Sequence, residues 1–166
     1  MNKSIRIGGA SGFWGDSYRA TEQLIQDTTL DFIVYDYLAE ITMSIMARAR
    51  AKSPSAGYAT DFIDAVIKPY IKRISTHNTR LISNAGGVNP EKCAEVISEL
   101  VKDLQLNLNV SCITGDDLMS SAQEIKNMNC KEMFSDIKFP ELDKVASMNA
   151  YLGAFAISEA LDKGAD

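Results

Sequence analysis

Histidine, proline and aromatic residues are scarce: one His, four Pro and 8% Phe, Trp and Tyr among 166 residues. A single histidine, His77, excludes a multi-histidine metal centre and leaves a Ser-His-Asp triad only one base to use. His77 falls in a helix-to-strand turn, Thr76-His77-Asn78-Thr79, and reads as a solvated turn residue. The three cysteines, Cys93, Cys112 and Cys130, are odd in number and far apart. They exclude a disulfide scaffold and a cysteine zinc site, and fit reduced thiols. Basic excess is also absent. Seventeen Lys and Arg against 22 Asp and Glu give a net charge of -5 and a pI near 4.9. A nucleic-acid binder needs a basic stripe to neutralise phosphates, so none is expected. The longest uncharged run, residues 145–158, has 14 residues, short of the roughly 20 that cross a bilayer. The start MNKSIRIGG lacks the apolar stretch of a signal peptide. These absences lead to the expectation of a cytoplasmic protein with no membrane partner.

What is present is alternation. With 46% hydrophobic residues, the chain can bury roughly 70% of its unfolded surface. Residues 4–7 read as a strand running into the glycine-rich segment 8–15, with a helix over 16–26 capped by Asp16 or Ser17. Phe32-Ile33-Val34-Tyr35 is a continuous apolar run, the pattern of a parallel strand covered on both faces. Residues 40–51 read as a helix with the stripe Ile41, Ile45, Ala49. Residues 53–57 form a loop, and Asp61 caps a helix whose stripe is Ile63, Ile67, Ile71 and Ile74. Pro69 lies inside that stripe and costs roughly 3 kcal/mol in a helix interior, which predicts a kink or restart. Residues 80–83 are the third strand. Asn89-Pro90-Glu91 reads as cap, proline and first-turn acid of the next helix. Residues 108–113 are the fourth strand, with a Cys112 that packs inside it. Helices follow over 118–126 and, capped by Asn149, over 150–163, ending at Gly164. Residues 127–143 carry no clear pattern. The sum is one α/β domain over residues 1–166: a three-layer open sheet, mostly parallel and Rossmann-like, with at least four strands and helices on both faces. The final residues 162–166 look like a turn into a further strand, which leads to the expectation of a fragment of a longer domain.

In open parallel sheets, ligands bind beyond the carboxyl ends of the strands, where amides and helix N-termini favour anions. The first strand delivers Gly8, Gly9, Ser11, Gly12, Gly15 and Asp16 to that edge; the second delivers Asp36, Tyr37 and Glu40. The third delivers Asn84, Gly86, Gly87 and Asn89; the fourth delivers Thr114, Gly115, Asp116 and Asp117. Each residue has a plainer reading, glycines as tight turns and acids as helix caps. Together they predict a small-molecule site in which Asn84 and Asn89 orient a carbonyl or phosphate. Asp36 or Asp116 is the candidate base. Convergence of Asp16, Asp36, Glu40, Asp116 and Asp117 on a magnesium-like ion is weighed against capping and solvation, and no metal is expected. Gly9-x-x-Gly12-x-x-Gly15 followed by Asp36 matches the nucleotide loop of short-chain dehydrogenases. Their Tyr-x-x-x-Lys pair is missing, since none of the six tyrosines has Lys four residues on. Titration with NAD or NADP is expected to give no signal. Residues 52–61 form a loop near the same edge that reads equally as a lid or a surface connection.

Several runs carry a family likeness: IRIGGASGFWGDS over 5–17, VYDYLAEITMSIMARARAKSPSAGYATDF over 34–62, NAGGVNPEKCAE over 84–95, GDDL over 115–118 and NAYLGAFAISEALDKGAD over 149–166. They resemble the N-terminal domain of the acyclic terpene utilisation family. The resemblance implies bacterial catabolism of acyclic terpenes, with an acyl or terpenoid catabolite as ligand and a coenzyme A thioester as one form of it. It supplies no reaction, no cofactor and no catalytic residues, so whether the chain is an enzyme stays open. Family members are longer, which implies a missing C-terminal part, and an exposed sheet edge would favour a homo-oligomer. The rival readings are a non-catalytic partner domain of a catabolic enzyme and a nicotinamide-binding domain.

Overall fold

Three short strands carry the fold of the computed structural model, which describes residues 4–27 and 29–166. They are β1 (Ile7–Ser11), β2 (Phe32–Tyr35) and β3 (Arg80–Ser83), joined as one parallel sheet in the order β1-β2-β3. Phe32 pairs with Ile7 on one side and Arg80 on the other. The helices are α1 (Ala20–Leu24), α2 (Glu40–Lys52), α3 (Lys68–His77), α4 (Pro90–Asp103), α5 (Ala122–Asn127) and α6 (Phe155–Asp162). A π-helical turn, Phe62–Ile67, precedes α3, and short 3-10 turns sit at Met119–Ser121 and Leu142–Lys144. The architecture is α/β, an open parallel Rossmann-like sheet with helices. No helix among the described residues is long and apolar enough to cross a membrane.

Side-chain bonds show how both sheet faces are covered. Successive residues of a strand point to opposite faces, so Ile33 and Tyr35 share one face while Phe32 and Val34 share the other. The Tyr35 hydroxyl meets Thr21 Oγ1 of α1 at 3.0 Å. Tyr35, Tyr37 and Phe62 stack edge to face on this side, with ring centres 5.2 to 6.2 Å apart. On the opposite face Arg80, paired with Phe32, donates from Nη1 to the Leu161 carbonyl of α6 at 3.3 Å. Ile33 is fully buried, whereas Phe32 and Val34 are half-buried, so the α6 side is the looser layer.

Several expectations are corrected. The first strand is not residues 4–7 but Ile7–Ser11, so Gly8 and Gly9 lie within it. Gly8 faces inward, where an added Cβ would stand 3.0 Å from Leu24; its bareness serves close packing, not a phosphate loop. The first helix is only five residues long and starts at Ala20. Residues 108–113 join no ladder, and the described sheet has three strands, not four. Their alternating apolar side chains signal burial, which a sequence pattern registers whether or not a neighbouring strand is present. In α2 the stripe Ile41 and Ile45 faces solvent, 74% and 50% exposed; Thr42, Met46 and Ala47 are the buried face. The last helix starts at Phe155 rather than 150, because Asn149 bridges to Asp117 instead of capping it. Pro69 does force a restart: the π turn ends at Ile67 and α3 begins at Lys68, with proline in the first turn where no N–H is needed.

Candidate functional site

The carboxyl ends of the three strands are stitched together. The Asp36 N–H donates to the Ser11 carbonyl at 3.3 Å, and Ser11 Oγ donates to the Asp36 carbonyl at 3.3 Å. Asn84, directly after β3, donates from Nδ2 to Asp36 Oδ1 at 2.7 Å. Its Oδ1 accepts the Tyr37 N–H at 2.7 Å. The turn after β2 and the turn after β3 are therefore one unit. Asn84 uses both ends of its amide inside that unit and holds the Asp36 carboxylate in place.

The β3–α4 turn is built from close backbone packing. Gly87 has φ 55°, and an added Cβ would meet Met46 Sδ at 2.1 Å and the Gly57 carbonyl oxygen at 2.7 Å. At Gly86 the added atom would stand 2.8 Å from Pro90. Asn89 is buried, and its Nδ2 donates to the Pro54 and Ala56 carbonyls at 2.9 and 2.8 Å. That corrects its expected role as side-chain helix cap: it makes no side-chain cap bond and instead fastens the 52–61 loop. The Val88 N–H to Gly57 carbonyl and Ala59 N–H to Ala85 carbonyl bonds, at 2.9 and 2.8 Å, tie the same loop down. Trp14 Nε1 adds a bond to Asp61 Oδ1 at 2.5 Å, linking the glycine-rich loop to it. These ties fasten the loop to the β3–α4 turn and to the glycine-rich loop.

A cleft of about 760 Å³ opens beside β3. Asp36, Asn84, Gly86, Gly87 and Asp116 line it on the polar side, together with Ser83, Cys112 and Tyr151. Its deeper wall is apolar, from Ile71, Ile74, Leu81, Ile97, Val101 and Val110. A smaller cavity of about 120 Å³ adjoins it through Gly87 and Asp116, and is also lined by Arg50, Asn89, Thr114, Gly115 and Asn149. Asp116 accepts from Asn149 Nδ2 at 2.8 Å on Oδ2 and from the Ala150 N–H at 2.8 Å on its carbonyl. Arg50 donates to the Val88 carbonyl and stands 3.9 Å from the Asp117 carboxylate.

The structure thus brings Asp36, Asn84, Gly86, Gly87, Asn89, Gly115 and Asp116 to two adjoining cavities. Gly9, Ser11, Gly12, Gly15, Asp16, Tyr37 and Glu40 line neither. Asp16 accepts the Gly12 N–H at 2.9 Å and closes its own loop. Tyr37 is buried in the aromatic cluster, where burial, and then the nearby Asp61 charge, hold its phenol above the usual range. Among the described residues no three His, Cys, Asp or Glu side chains gather as a cation would require. Cys112, expected to pack inside a strand, is exposed on the cleft. Partial burial, with the Glu91 and Asp116 charges, raises its thiol pKa. Arg50, Asn149 and Tyr151 are contributions that sequence reading missed: Asn149 reads as a helix cap, Tyr151 as the first turn of that helix, and Arg50 as an ordinary basic last-turn residue.

No curated protein and no solved structure matches the chain. The model of the acyclic terpene utilisation family protein AtuA matches residues 5–166, and over that span the chain belongs to this family.

Proposed function

We propose that the chain binds a small acyl or terpenoid catabolite, as the free acid or its coenzyme A thioester, across the carboxyl ends of its strands. The observation that carries this reading is the shared cleft: Asp36, Asn84 and Asp116 line the same opening as the apolar side chains Leu38 and Leu152. A polar head with an apolar tail matches that division, as ligand sites commonly pair an apolar lining with a few placed polar groups. The membership in a terpene-utilisation family supports the same class of ligand. In the turn leading into α4 the Gly87, Val88 and Asn89 N–H groups are taken by the Asn84, Gly57 and Gly86 carbonyls, which leaves the Gly86 N–H for a carboxylate or phosphate. Asp36 and Asp116 each use one carboxylate oxygen on an asparagine amide and keep the other for a proton transfer, which is the route by which binding becomes conversion. Isothermal titration of the chain with coenzyme A thioesters and free acids of acyclic terpenoids tests the reading. Saturable binding that weakens in Asn84→Ala supports it, and absence of saturable binding to every member of both series overturns it.

A non-catalytic partner domain is the second reading, favoured by large apolar side chains left in solvent at Met133, Phe134, Tyr151 and Phe155, each at least 85% exposed. Recovery of a stable catabolic-enzyme partner with no turnover of any acyl substrate would favour it over the first.

A further inference from the structure

α2 packs on the body of the protein by one face. Thr42, Met46 and Ala47 are its buried positions, and on the same side Arg50 donates to the Val88 carbonyl. Positions 41, 45, 48 and 52, spaced by four, three and four, form the opposite stripe. They are Ile41, Ile45, Arg48 and Lys52, all exposed, with the half-buried Ser44 beside the isoleucines and the exposed Glu40 at the start of the helix. Along the axis the face reads acid, two isoleucines, two cations. None of the ion pairs among the described residues uses Glu40, Arg48 or Lys52. The dipole of a lone helix favours an acid in the first turn and cations in the last. It gives no reason for two isoleucines standing in water between them on a helix of 13 residues.

We propose that this face pairs with itself in a second copy of the chain, the two α2 helices lying antiparallel across a two-fold axis near Ser44. A two-fold contact needs a self-complementary surface, because every meeting of i with j is repeated as j with i. The α2 face meets that need in charge and in shape. At a rise of roughly 1.5 Å per residue, equal steps either side of the axis set Arg48 level with Glu40 of the second copy. The same pair recurs across the axis. Ile41 comes level with position 47 of the second copy and fits between its Ile45 and its Arg48. Ile45 comes level with position 43 and fits between its Ile41 and its Ser44. Serine at the crossing is small enough to let the helix axes approach to roughly 8–10 Å. A parallel pair would set Glu40 against Glu40 and Arg48 against Arg48, so the charges select the antiparallel one. The face carries its own complement, and this selects a second copy as the occupant. A contact through one helix of this length is at the small end of specific interfaces, so the dimer is reversible and concentration-dependent. The inner side of α2, where Met46 packs at Gly87, is untouched, and the pairing is independent of what the cleft holds.

Sedimentation equilibrium over a range of concentrations, with native mass spectrometry of mixtures, tests the pairing. The chain is expected to pass from monomer to dimer as concentration rises. Ile45→Asp puts a charge at the centre of the contact and is expected to leave only monomer; Ile41→Asp, on the same exposed stripe, gives a second reading. Glu40→Arg and Arg48→Glu each set like charges together at both ends of the contact, and each is expected to weaken the dimer about tenfold. Mixed in equal amounts, these two variants are expected to form a heterodimer about as tight as the natural dimer. The two altered positions then meet as one opposite pair and the two unaltered positions as the other. Only a register that sets position 40 against position 48 gives this rescue. A chain that stays monomeric up to about 1 mM overturns the proposal. So does a dimer that survives both isoleucine substitutions, which would use another surface. Charge variants that associate no more tightly in the mixture than alone overturn it as well.

Discussion

Replacing Gly87 by alanine separates backbone strain from packing at the turn where the two cavities meet. At φ 55° an L-residue sits in the left-handed region, at a cost of about 1–2 kcal/mol. The new Cβ would also approach Met46 Sδ to 2.1 Å and the Gly57 carbonyl oxygen to 2.7 Å. Met46 can swing aside. The Gly57 carbonyl cannot do so without releasing the Val88 N–H it accepts at 2.9 Å. Overpacking of this kind adds about 1–3 kcal/mol. The total, about 2–5 kcal/mol, is a large share of a stability of about 5–15 kcal/mol. Two companions calibrate it. Gly115→Ala meets nothing within 4 Å at φ 110° and carries the strain alone. Gly9→Ala meets nothing and has no positive φ, so it is expected between neutral and about 1 kcal/mol stabilising. Urea unfolding midpoints at constant m-value read all three. The order expected is Gly9→Ala most stable, Gly115→Ala next and Gly87→Ala least. A Gly87→Ala midpoint equal to that of Gly9→Ala would refute the packing described for this turn.

Asn84→Ala removes two bonds of 2.7 Å, and is expected to cost about 1–2 kcal/mol in unfolding and to lower ligand affinity because Asp36 loses its aim. Trp14→Phe keeps an aromatic ring, though a smaller one, and deletes the donor to Asp61; about 1 kcal/mol of destabilisation is expected, with faster proteolysis in residues 52–61 as the readout. Alkaline stability follows from the buried acids. Burial pushes the Cys93 thiol from 9.0 up to about 12 and the Tyr35 phenol from 10.0 up to about 12. Above pH 9 the unfolded chain ionises and the folded chain does not, so stability is intact below that pH and falls as pH rises towards 12, by at most about 1.4 kcal/mol per pH unit for each group. In pH-dependent denaturation, Cys93→Ala is expected to flatten the decline between about pH 9 and about pH 10, leaving the smaller share of the raised Cys112 thiol, before the tyrosines begin to ionise.

The legible parts of the fold are those where local pattern and tertiary partner coincide. β2, β3, α2 and α4 start where the sequence places them, because apolar runs bounded by Asp36, Asn84 and Asn89 mark their ends. β1 was misplaced because Gly8 and Gly9 look like a loop until Leu24 and Leu30 are seen packed against the missing Cβ. The Ile41 and Ile45 stripe differs from the core face of α2, which is Thr42, Met46 and Ala47, the first two one residue further on and one of them a threonine. At the site, Asp36 and Asn84 were readable as strand-end residues, and their mutual bond required the register of β2 against β3. Nothing local in the sequence brings Asn149 to Asp116, 33 positions away, or commits Asn89 to the 52–61 loop.

The most direct test of the account is an NMR titration of the chain with a coenzyme A thioester of an acyclic terpenoid acid, read at the backbone amides. The account predicts saturable shifts concentrated at Ala85, Gly86, Gly87 and Asp116, which line the shared opening, and at the Tyr37 amide that Asn84 holds. Shifts confined to the amino ends of the strands, around Asp31 and Arg80, or no saturable shift at all, would contradict it.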